Sequence, residues 1–161
     1  MSRDEDLRDL LVEFLSWPNG HVSAQDALAD IPRALRGKRP PGAPHTPWQL
    51  LEHMRIAQRD ILDFCRNAEH VSPEFPDGYW PPTEAPPNQS SWDESVSAFL
   101  ADIDAMKRLV ADASTDVCAP LPHTDGVSLL REALLVADHN AYHLGQIVLL
   151  RRVLAAGRRE P

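Results

Sequence analysis

Cysteine is scarce in this 161-residue chain: there are two, Cys65 and Cys118, and neither has a short-spaced partner. That spacing excludes a disulfide framework and a zinc ribbon. No apolar run approaches the roughly 20 residues that span a bilayer. The opening MSRDEDLRDLL puts acids where a secretory leader needs an apolar stretch. Positive charge is in deficit, with 16 Lys and Arg against 24 Asp and Glu and a net charge of -8. A phosphate backbone is usually met by a basic face, so nucleic acid is not the expected partner. The basic cluster Arg33, Arg36, Lys38 and Arg39 is flanked by prolines and reads as a solvated loop. These absences lead to the expectation of a cytoplasmic protein with neither a membrane nor a nucleic-acid partner.

What the sequence does have is proline, fifteen in all, and their positions leave proline-free windows of 17, 25, 32 and 38 residues. Proline is costly inside a helix, so the windows are where helices can run. In the first, Leu7, Leu10, Leu11, Phe14 and Leu15 recur at helical spacing, and Pro18, Asn19 and Gly20 supply a stop. SAQDALADI can form a helical insert of two turns before the irregular RGKRPPGAP. The second window opens on Thr46 as N-cap with Pro47 at the first helical position, and Leu50, His53, Met54, Ala57, Ile61 and Phe64 share one face. In the third, Ser91 and Glu94 have the spacing of a capping box, followed by Val96, Phe99, Leu100, Ile103, Met106 and Val110. The last carries a stripe from Leu129 to Leu154, with Gly157 as C-cap. The reading is a single all-α domain over residues 1–161, a four-helix bundle with helices at about 3–16, 47–67, 92–113 and 127–156. Six prolines and three aromatics fall between His70 and Asn88, the composition of a packed lid or Ω-loop.

Chemistry is expected where polar groups interrupt an apolar helical face, because burying them without partners is costly. In DHNAYHLGQI, His139 and His143 stand four residues apart on one face. His53 lies on the apolar side of the second long helix. Imidazoles at this spacing converge on one ion, and a third from another helix completes a facial set of three nitrogens. Where a zinc peptidase of the HExxH type has its glutamate, this chain has Asn140. No Glu-x-x-His repeat marks a di-iron bundle either. Zinc, nickel, iron and copper all suit imidazole, and such an ion acidifies a bound water or thiol. Asn140 and Gln146 are placed to orient these ligands or to be ordinary polar positions near the bundle edge. Trp48 and Tyr142 read as packing residues, and His21, His45, His70 and His123 as surface residues. Cys65, about 18 Å along the helix from His53, is too far to ligate the same ion.

With its histidine in LLEHMRIAQ, the signature HNAYHLGQI and the four-helix spacing, the chain resembles the DinB/YfiT-like superfamily over essentially its whole length. The resemblance implies an up-down-down-up bundle with long crossings and a metal site at His53, His139 and His143. It also implies one divalent ion, zinc or nickel, together with a low-molecular-weight thiol cosubstrate and a small-molecule substrate. Dimers are common among such proteins, so a homodimer is expected. The function this suggests is a metal-dependent thiol transferase or hydrolase, its pocket closed by the loop around Tyr79 and Trp80. The alternative is a non-catalytic, stress-associated metal-binding protein or ligand-binding module.

Overall fold

The computed structural model describes residues 2–16, 20–29 and 31–157. The expected helix stop at Pro18 and Asn19 lies outside them, as do Trp17, Asp30 and Pro161. The described residues form an all-α fold of five helices: α1 (Arg3–Ser16), α2 (Ala24–Ala29), α3 (Pro47–Arg66), α4 (Ser91–Ala111) and α5 (Leu129–Ala156). There is no strand among them, only an isolated bridge between Pro120 and Ser128. No helix among the described residues is long and apolar enough to cross a membrane. The four long helices pack as a bundle in which α3 and α1 each lie against both α4 and α5, while α2 fills the end between α4 and α5.

Local sequence explains where the helices begin. Thr46 accepts from the backbone N–H of Gln49, whose side chain accepts in return from the Thr46 N–H, and Pro47 follows without wasting a donor. The capping box expected of Ser91 and Glu94 does not form. Ser91 is already inside the helix, and Asn88 Oδ1 instead accepts from the N–H groups of Ser90 and Ser91. An Asx side chain three residues upstream takes the Ser91 N–H, and the Glu94 N–H bonds to the Ser90 carbonyl, so the two donors of the box are met without it. Gly157 does follow α5, but with φ -65 rather than the left-handed conformation usual for glycine at that position.

Two apolar clusters divide the bundle. One gathers Leu28, Leu51, Met54, Trp92, Phe99 and Leu144, and the other gathers Leu11, Leu62, Met106, Val110, Leu129 and Ala133. Burying each large side chain of this kind is worth about 1.5–3 kcal/mol. Between the clusters on α3 lies Gln58, and at the corresponding seam on α5 lies Asn140. Both are buried, and the Asn140 amide donates to Gln58 Oε1 at 2.6 Å. The face of α1 differs from the expected stripe. Leu10 and Phe14 are exposed while Arg8 is buried, because its guanidinium turns inward to donate to the carbonyls of Val110, Asp112 and Thr115 just past and within the end of α4. Those orphan carbonyls at a helix C-terminus need a donor, and a cation there is favoured.

The proline-rich segments are ordered by one another. Gly37 passes so close to residue 85 that a Cβ on it would clash with the Ala85 Cβ. Thr46 donates its hydroxyl to the Glu84 carbonyl, the Trp48 indole donates to Thr83 Oγ1, and Arg39 pairs with Glu84. The basic cluster is therefore partly structural rather than simply solvated: the Arg36 guanidinium lies 4.8 Å from the Trp92 ring centroid and donates to the Ile31 carbonyl.

Candidate metal centre

Helices α3 and α5 bring His53, His139 and His143 together, with one ring nitrogen from each within 4.8 Å of the others. These are the three residues expected from the sequence. Their rings meet edge to face, with centroids 4.6 to 4.9 Å apart. His143 is buried, and His53 and His139 are half-buried.

Hydrogen bonding fixes which nitrogen two of the rings present. Nδ1 of His53 lies 2.9 Å from the Tyr79 carbonyl oxygen. A carbonyl only accepts, so Nδ1 carries the proton and the Nε2 lone pair is free. Nδ1 of His143 donates likewise to Gln146 Oε1 at 2.8 Å, one of the two polar residues the sequence singled out as ligand orienters. The other, Asn140, instead holds Gln58 across the bundle seam. Nε2 of His53 and Nε2 of His139 approach to 3.1 Å. With metal–nitrogen bonds of about 2.0–2.1 Å, nitrogens sharing one ion stand about 2.9–3.4 Å apart, depending on the angle, so the His53–His139 pair has the spacing of two ligands on one divalent cation.

Burial favours the neutral form of all three imidazoles. Desolvation, reinforced by the neighbouring His143 and His53, lowers His139 to about 4. Desolvation also lowers His53, against the Tyr79 carbonyl, and His143, against Gln146. A metal ligand has to be unprotonated, so the site is prepared for binding near neutral pH.

The segment between α3 and α4 forms one wall. Trp80 stacks on His53 with centroids 4.0 Å apart and planes 3° apart, and its ring also stacks on His45 at 3.9 Å. The loop around Tyr79 and Trp80, expected to close the pocket, packs Trp80 against a histidine of the cluster. The Tyr79 hydroxyl donates to Asp60 Oδ2, and His70 meets Asp60 Oδ1 at 2.6 Å, which anchors this wall to α3.

Three surface assignments from the sequence change accordingly. His45 is half-buried in the stack with Trp80, His70 is paired with Asp60, and His123 bonds the Phe64 carbonyl. His21 is exposed, as expected. Trp48 is a packing residue, only 4% exposed, whereas Tyr142 is 63% exposed and lays its ring edge to face on His143 at 4.9 Å. Cys65 is buried in the cluster of Leu62 and Leu129, apart from the histidines. The histidine neighbouring an N-cap and the tryptophan amid prolines were the available signals for the missed stack, but neither reveals where a loop will lie.

The fold and site define an all-helical bundle with a candidate metal centre of three histidines. The family model described as DinB superfamily matches residues 23–147, which include all three, and the chain belongs to that superfamily. Neither the comparison with curated proteins nor that with solved structures gives a match.

Proposed function

We propose that this protein is a metal-dependent enzyme that uses one divalent ion, zinc or nickel, to activate a low-molecular-weight thiol for transfer to a small electrophile. The observation that carries the metal part is the convergence of three neutral imidazoles, two with their tautomers set by Tyr79 and Gln146. Bound by neutral ligands alone, such an ion retains its double charge and supplies Lewis acidity, lowering the pKa of a thiol or water and polarising a carbonyl.

The residues around it favour a thiol over water. Among the described residues no carboxylate joins the histidine cluster to serve as a general base. A thiol, with an ordinary pKa of about 8.5, needs little help to ionise, whereas bulk water at about 15.7 needs much more. His53, His139 and His143 would hold the ion. The Tyr79 carbonyl and Gln146 keep two of the rings turned toward it, and Trp80 shields one ring face from solvent.

The test is loss of free thiol with time when tag-free, zinc- or nickel-loaded protein is mixed with a panel of low-molecular-weight thiols and a chloroarene electrophile. Acceleration with at least one thiol, reduced to background in His139→Ala, is the expected result. Faster ester hydrolysis without thiol consumption would assign the site to water activation instead.

A further inference from the structure

A cleft of about 350 Å³ opens between the proline segment at 40–45 and the C-terminal half of α5. Its body is apolar, walled by Pro41, Pro44, Leu149 and Val153 among others, and no charged side chain among the described residues lines it. Among the described residues, the polar side chains on its lining are His45 and Gln146. Both lead to the histidine cluster: Gln146 accepts from His143, and His45 stacks on Trp80, which stacks on His53. A cavity with an apolar body and a few convergent polar groups is the usual form of a small-molecule site.

We propose that the substrate of the candidate metal centre is a molecule with an uncharged aliphatic or aromatic group, which this cleft holds while the reacting end reaches the histidines. The inference rests on the metal-centre reading for the reacting end, and on the cleft alone for the apolar group. Leu149, 61% exposed, and Val153, 46% exposed, then owe their exposure to lining a site that is covered when ligand binds. A highly charged substrate body would lose hydration there without gaining a partner.

The experiment uses the zinc-loaded full chain and straight-chain alkyl hydroxamates from acetohydroxamate upward, with affinity measured by calorimetry. Each added methylene is expected to tighten binding by up to about fourfold until the cleft is full. Leu149→Asp and Val153→Asp, both at exposed positions, should flatten this series while acetohydroxamate still binds as before. Leu135→Asp, on the same helix but outside the cleft, should leave the series intact. A series that is flat in the unmodified protein while acetohydroxamate binds would overturn the proposal. So would a dimer that Leu149→Asp converts to monomer, because the cleft would then be covered by a second copy. If the hydroxamate head adds nothing but straight-chain alcohols show the same chain-length dependence, abolished by Leu149→Asp, the apolar site stands and the metal-centre reading fails.

Discussion

The backbone carbonyl of Tyr79 accepts a hydrogen bond from Nδ1 of His53 at 2.9 Å, so a loop between two helices decides which nitrogen a histidine on α3 turns toward α5. Asp60, two turns further along α3, holds that loop through the Tyr79 hydroxyl and His70. Burial beside Asp60 also raises the Tyr79 phenol above its ordinary pKa, which keeps it a donor. The geometry of the candidate metal centre therefore depends on residues outside the histidine cluster.

That dependence gives the first prediction. Asp60→Ala should leave the helical circular dichroism unchanged but weaken zinc affinity about tenfold, the lower end of what outer hydrogen-bond partners contribute at metal sites. Competition with a colorimetric chelator measures it. Unchanged affinity would mean that the His53 ring is held by its packing on Trp80 alone.

Metal removal should be felt by the whole fold, because His53 and His139 join α3 to α5. At free zinc of about 100 times Kd, linkage adds about 2.7 kcal/mol to stability. For a chain of this size that raises Tm by roughly 5–10 °C relative to chelated protein. Calorimetric scans with and without zinc test this, and His139→Ala should remove most of the difference.

The polar bridge at the seam of the two cores is expected to be strongly coupled. Gln58→Ala leaves the buried Asn140 amide without its acceptor, and the Asn140 Oδ1 already has no partner among the described residues. The expected cost is about 2–3 kcal/mol in urea unfolding, from an unsatisfied buried amide plus lost packing. Adding Asn140→Ala should cost less than the sum of the two single changes, since one bond is then lost only once.

The cysteines should differ sharply toward iodoacetamide. Burial pushes the Cys65 thiol up to about 12, so at pH 8 about one molecule in ten thousand is thiolate, the reactive form. Cys118 is exposed. Mass spectrometry is expected to show rapid modification of Cys118 and slow modification of Cys65. Thiolate at Cys65 grows as pH rises toward that value, so its rate should climb between pH 8 and 10, beyond any rise from local opening.

Much of this was legible in the sequence for a simple reason. Proline forbids helix interiors, so the prolines mark the gaps between α1, α3, α4 and α5, and the spacing of His139 and His143 survives any detail of packing. What escaped depends on tertiary placement. The stack of His45, Trp80 and His53 joins residues from two loops and a helix. The helix begins at Ser91 itself, where Asn88, three residues upstream, accepts from its N–H. Leu10 and Phe14 fit a helical stripe on spacing alone, but the need of the α4 carbonyls for Arg8 turned that face toward solvent.

The most direct measurement is the metal content of tag-free protein equilibrated with zinc and gel-filtered, read by elemental mass spectrometry. About one ion per chain is expected, falling to a small fraction in His143→Ala with the fold intact, since three protein ligands define an open mononuclear site. Full occupancy retained in His143→Ala, or no metal taken up by the unmodified chain, would contradict that expectation.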